Sequence, residues 1–233
     1  SITSKRNQTS ITNLDADFSA ADIIADQRQD YEFDTFSQEI RISSNDISSK
    51  LDWMIGAYYQ QEDIDTFRNV TYGTQTYAYS DTLVTLGLSQ AIAAAAIEGY
   101  LAAGLPPAGA QAYAEQAVAA ALGPVGGSGL AYVGAAFGVC VVNGVSCTDV
   151  FYIPGTGMPS SIWSMESTAL SLFSQMDYQI NDALTATIGL AYSDDSKDVS
   201  SNITIIDPFA ALPLEAAGLG ALSGLQFFPA FTN

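Results

Sequence analysis

The sequence predicts a mainly β fold: an antiparallel transmembrane β-barrel segment of about five strands, with a long Ala-rich helical hairpin inserted in an extracellular loop. Three observations lead there. Four segments alternate apolar and polar residues with a period of two, so each has one apolar face. These segments are long and carry aromatic residues near their ends. The connections between them alternate between short and long.

The segment 36–44 puts Phe36, Ile40 and Ile42 on one face and Ser37, Glu39, Arg41 and Ser43 on the other. The turn formers SNDISSK follow. The next segment, 51–63, places Leu51, Trp53, Ile55, Ala57 and Tyr59 on one face. Asp52, Met54, Gly56, Tyr58, Gln60 and Glu62 take the other. Two further strands flank Asn181-Asp182. In 168–180, Leu170, Leu172, Met176 and Tyr178 oppose Ser171, Phe173, Gln175 and Asp177. In 184–196, Leu184, Ala186, Ile188, Leu190 and Tyr192 oppose Thr185, Thr187, Gly189, Ala191 and Ser193. Residues 1–14 read as one more strand, although Lys5-Arg6 interrupts the alternation.

An apolar face alone fits two environments. In a soluble antiparallel sheet it covers a core and the polar face meets water. In an outer-membrane barrel it meets lipid and the polar face lines the lumen. Length favours the barrel, because thirteen residues at roughly 3.3 Å each give about 43 Å, enough to cross a bilayer at a tilt of about 40°. Trp53, Tyr59, Tyr178 and Tyr192 near strand ends suit interfacial girdles. The links at 45–50 and 181–183 are short, whereas those at roughly 17–33, 66–166 and after 197 are long. Barrels keep short turns on the periplasmic side and long loops outside. Strands 36–44 and 168–180 then run inward, and 51–63 and 184–196 outward. This divides the chain into strands with a first outer loop (1–66), an extracellular insert (67–165), two further strands (166–198) and a following outer loop (199–233).

The insert has its own grammar. Residues 69–165 contain no Lys or Arg. A first helix is expected from Ser80 or Asp81, as N-cap, to Gly104 before Pro106-Pro107. A second restarts at Pro107 and stops at Gly123-Pro124. Glu98, Glu115 and the prolines argue against a membrane-spanning hairpin, and Ala has high helix propensity without one. Cys140 and Cys147 flank Asn143-Gly144, a hairpin signal, and a disulfide between them suits an oxidising outer loop. Two buried free thiols are the competing reading. The stretch 202–233 has no clear period; its QFFPAF is a candidate for packing on neighbouring loops.

Composition narrows the function. The chain has 233 residues, 25 acidic against seven basic, and a formal net charge of −18, which excludes the basic footprint of nucleic-acid binding. It has no histidine, which removes His-dependent triads and His-liganded zinc sites. It has no G-x-S-x-G and no phosphate-binding glycine loop, so no enzyme is expected. We assign no cofactor and no metal. The first residues, SITSKRNQTS, carry no apolar core, and the chain opens without Met inside a strand, so a segment of something longer is expected.

The stretches TFSQEIRISS, LDWMIGAYYQQEDID and LSLFSQMDYQINDALTATIGLAYSDDSKD resemble consecutive barrel strands of TonB-dependent outer-membrane receptors. The resemblance covers roughly 30–66 and 166–198, about a third of the chain, and leaves out the Ala-rich insert. It implies a barrel of about 22 strands around a plug domain. It also implies import of a ferric chelate, cobalamin or oligosaccharide-like ligand, driven by an inner-membrane energising complex, in the outer membrane of a Gram-negative bacterium. The implied partners are outer-membrane lipid, the receptor's own plug and remaining strands, and a small-molecule ligand. No plug, energy-coupling box or closing C-terminal strand is recognised, so the resemblance implies a piece of a receptor.

Candidate site residues follow from the faces. Glu39, Arg41, Tyr58 and Glu62, with Asp52 and Asp177, share the lumen side and are candidates for lining a ligand's route. A solvated wall of paired charges is the competing reading. Tyr72, Tyr77 and Tyr79 in the outer loop are candidates for stacking on a ligand, against plain loop packing. Glu62, Asp63 and Asp65, and likewise Asp194, Asp195 and Asp198, suit a Ca²⁺ site or a solvated acidic rim, of which the rim is preferred. A passive porin-like channel and a soluble or surface-adhesion β-domain remain open as alternatives.

Overall fold

A computed structural model describes residues 1–44, 49–141 and 144–228. Five strands form one antiparallel open sheet in chain order: β1 (Ile2–Asn13), β2 (Ile24–Ser43), β3 (Leu51–Tyr72), β4 (Gly157–Asn181) and β5 (Leu184–Ile206). Backbone bonds fix the register. Leu14 N–H donates to the Gln27 carbonyl at 3.0 Å, Ser44 to Trp53 at 2.9 Å and Gln179 to Lys50 at 2.8 Å. The Ser171 and Ser193 hydroxyls meet at 2.9 Å across β4 and β5. The expected turn at 45–50 falls largely on residues 45–48, outside the described residues. At the other turn, the Asn181 side chain accepts from Ala183 N–H at 2.9 Å.

The strands overrun their expected ends. β2 begins at Ile24, β3 continues to Tyr72, β4 begins at Gly157 and β5 reaches Ile206. The long links therefore shrink to 14–23 and 73–156, with a third segment after 206. The physical reason lies in the faces. Beyond the apolar stretch of β3 polar residues occupy both sides, as in QQEDIDT, so there the ladder persists while the hydrophobic alternation that reports it disappears.

The chain divides into two compact units. The first comprises Ser1–Thr12, Arg28–Arg68 and Ser161–Ile203, and the second Asn13–Gln27, Asn69–Ser160 and Thr204–Asn233. The first unit is sheet, and its apolar face is left exposed. Phe36, Ile40, Ile42, Ile55, Leu170, Leu172, Met176 and Tyr178 are all exposed there. On β5, Ile188 is 69% and Leu190 72% accessible. Lys5 and Arg6 part company: Arg6 bonds Gln8 on the polar side, while Lys5 lies beside Asp34, Phe36 and Asp63.

The second unit builds an ordinary core. Its helices are α1 (Thr76–Ala102), α2 (Ala110–Leu122) and α3 (Gly129–Ala136). α1 packs against α2 and α3. By length and a mean hydropathy of 1.3 it is apolar enough to cross a membrane. It starts earlier than Ser80 or Asp81, at Thr76, so both lie inside the helix and neither is its N-cap. Ser80 is buried, and the Asp81 carboxylate accepts from Ser128 Oγ (2.8 Å) and Leu130 N–H (2.9 Å), capping α3 instead. Tyr72, Val84, Leu130, Val133, Phe151, Tyr152, Phe209 and Leu214 fill the core. Cys140 and Cys147 form a disulfide with Cα atoms 5.2 Å apart. Gly134 lies flat against it, where a Cβ would overlap the Cys140 sulfur. Asn143 of the expected turn is outside the described residues.

Candidate functional site

The polar face of the first unit gathers the strand candidates. Register sets Thr35 beside Glu62, whose carboxylate accepts its hydroxyl at 3.4 Å. The same register sets Glu39 across from Tyr58 and Arg41 across from Gly56. Glu39 and Arg41, two apart on β2, form an ion pair. Arg41 also lies over the Phe173 ring, 5.7 Å from its centroid. That ring covers Gly56, where a Cβ would come within 2.3 Å of it. Tyr58 donates to Gln60 Oε1 at 2.7 Å. The result is a polar wall with one cation-capped aromatic ring. Phe173 was not among the sequence candidates. Its signal was Gly56 opposite an aromatic, and that is visible only once the register is known.

The acidic candidates separate by face. Glu62 and Asp195 lie with the polar wall, whereas Asp63, Asp65, Asp194 and Asp198 lie on the face that carries the apolar residues. In register, Asp34, Asp63, Glu166 and Asp198 form one row across four strands, just beyond the apolar stretch. Neighbouring like charges in such a row repel. Asp34 and Glu166 were not singled out from the sequence, because only strand pairing brings them into line. Among the described residues, no three carboxylate, cysteine or histidine side chains converge as a metal-holding group.

The three tyrosines have different fates. Tyr72 is fully buried in the second unit, and its hydroxyl donates to Asp207 Oδ2 at 2.6 Å. It packs edge-on against Tyr152 at 5.3 Å, with Phe227 and Phe228 each 6.1 Å away. These two rings and Gln226 are the described part of QFFPAF; residues 229–233 lie outside the described residues. Tyr77 is half-buried, and burial pushes its hydroxyl pKa up. Tyr79 alone of the three is well exposed, at 46%.

Asp207 is itself buried, and burial raises its carboxyl pKa against the opposing hydrogen bonds from Tyr72 and from Ala210 N–H. In the 14–23 loop the reverse holds. Asp17 accepts from Ile24, Ser19 and Ile23 N–H groups, and Asp22 from Thr74 N–H and hydroxyl, and these bonds hold both carboxyls below the usual range. The second unit is thus pinned, acidic and aromatic-cored, and the first carries a polar sheet wall. No model of a known protein family matches the chain, and no curated protein matches it either.

Proposed function

We propose that this chain is part of an outer-membrane β-barrel receptor that binds and imports a scarce small-molecule ligand, such as a ferric chelate, cobalamin or an oligosaccharide. The observation that carries the barrel reading is the exposed apolar face of the sheet. A soluble sheet covers such a face, since contiguous apolar patches of that size are rare on soluble monomers. Lipid covers it at no cost. Along β4 the apolar positions run from Leu170 to Ile180, about 33 Å at roughly 3.3 Å per residue. A tilt of about 40° reduces this to about 25 Å, the height of an outer-membrane apolar band.

On this reading, the Glu39, Arg41, Tyr58 and Phe173 wall looks into the lumen. The helical insert with Tyr79 belongs to the extracellular connections, by the rule that long links lie outside. Active import, rather than passive passage, rests on the resemblance of the strands to TonB-dependent receptors. Energy from an inner-membrane complex then enters through parts of the receptor outside this chain.

Trp53 makes the membrane reading testable. It stands among the apolar residues of β3, whereas Trp163, opposite Thr66, belongs to the polar-wall side. In vesicles of phosphatidylcholine with brominated acyl chains, Trp53 fluorescence, measured in a Trp163→Phe background, is expected to be quenched several-fold. Trp163, measured with Trp53→Phe, is expected to be little affected. Equal protection of both from the bromines would refute the lipid-facing assignment.

A further inference from the structure

The apolar face is not smooth. On it, Ile55, Leu172, Leu190 and Tyr192 surround Ser174, forming a groove of about 400 Å³. Register explains the dip: Ser174 sits between Ile55 on β3 and Leu190 on β5, and Leu172 and Met176 flank it along β4. One short side chain among branched and aromatic ones leaves a space that none of them fills. Gly56, Phe173 and Ala191 contribute backbone to the floor: the first has no side chain, and those of the other two project to the opposite face. The volume is within the range of small-molecule seats, about 300–1,000 Å³.

We propose that this groove seats one acyl chain of a membrane phospholipid in preference to the freely exchanging chains around it. The proposal rests on the reading that this face meets lipid. The walls are aliphatic, with one phenol and one hydroxyl, so the occupant is an alkyl chain and carries no charged group into the groove. A second copy of the chain is the poorer occupant. Packing two such faces symmetrically would bring the Asp34, Asp63, Glu166 and Asp198 row against its own image, where like charges oppose association. A flexible chain also adapts to an open groove, whereas a protein knob needs a matching shape.

The test compares Ser174→Leu with Ala186→Leu, which adds the same bulk on the same face away from the groove. Each full protein is reconstituted with phosphatidylcholine spin-labelled near the acyl terminus. Electron paramagnetic resonance then counts motionally restricted lipids per protein. The expected result is one restricted lipid fewer in Ser174→Leu and no change in Ala186→Leu. The same number in all three proteins would overturn the groove while leaving the lipid-facing reading intact. Absence of any restricted lipid would overturn both. A count that falls with protein density in the wild type would assign the groove to a second copy and overturn the proposal. Retention of the heat-modifiable gel form shows that each variant is folded.

Discussion

Leu190 in the first unit is 72% accessible, while Leu130 in the second is fully buried, and both belong to the same chain. The contrast extends to whole surfaces. The first unit displays isoleucines, leucines and tyrosines along one side of a sheet. The second hides Tyr72, Phe151, Tyr152 and Phe209 inside a helical core clamped by a disulfide. All seven Lys and Arg residues fall in the first unit. Apolar burial is driven by exclusion from water. On the proposed reading, a unit that leaves its apolar face open meets lipid there, whereas a unit that closes on itself meets water. On that reading, the chain is adapted to two solvents at once.

The largest expected effect would break this comparison outright. Ile55→Arg places a cation on the open face, where arginine near a bilayer midplane costs about 2–4 kcal/mol. Gln60→Arg places the same cation on the polar wall. The first variant is expected to lose most of its folded, heat-modifiable form in outer-membrane fractions, and the second to keep it. Equal losses would mean that the two faces share one environment and that the contrast is an accident of packing.

A smaller effect concerns the second unit alone. Replacing Cys140 and Cys147 together with alanine opens a short loop whose closure is worth about 2–3 kcal/mol. The insert is expected to melt at lower temperature and to be cut sooner by protease, while heat-modifiability of the sheet is unchanged. Simultaneous loss of both would show that the two units unfold as one.

How far the sequence disclosed this architecture depended on which force was writing the signal. Inside the apolar stretch the period of two was plain, because every second residue from Leu51 to Tyr59 is apolar. Past Tyr59 polar residues occupy both faces, and the ladder to Tyr72 left no mark in hydropathy. Helix α3 was missed because GLAYVGAA is short, glycine-containing and without a polar stripe. Asp81 was read as a local cap, although its partners lie 47 and 49 residues away on Ser128 and Leu130. Tyr72 drew notice as an aromatic in a long connection. Its buried hydroxyl finds its acceptor on Asp207, 135 residues later, which no local pattern reports. The wall residues Glu39, Arg41, Tyr58 and Glu62 were legible from alternation, but the Phe173 ring over Gly56 required the register.

The smallest effect sharpens the comparison through protons. Asp207 is held above the usual carboxylate range by burial, so its neutral form is the one that folding favours. Its contribution to stability is full below the unfolded-state value and is lost as pH rises through the raised folded value. Asp17 and Asp22 have the opposite sign: held low by backbone and hydroxyl donors, they contribute above the ordinary carboxylate value and lose that contribution as pH falls. Asp207→Asn keeps an acceptor for Ala210 N–H and removes the charge beside Tyr72. At neutral pH its net effect is expected within about 1 kcal/mol. Its signature is in the pH profile, followed as the near-ultraviolet melting temperature of the tyrosine core. The wild type is expected to lose stability from the acidic range toward neutrality, and the variant to lack that fall while keeping the acid-side loss set by Asp17 and Asp22. Parallel profiles in the two proteins would show that the buried carboxylate is already compensated by Tyr72 and the Ala210 N–H, and that the second unit closes its core around a charge.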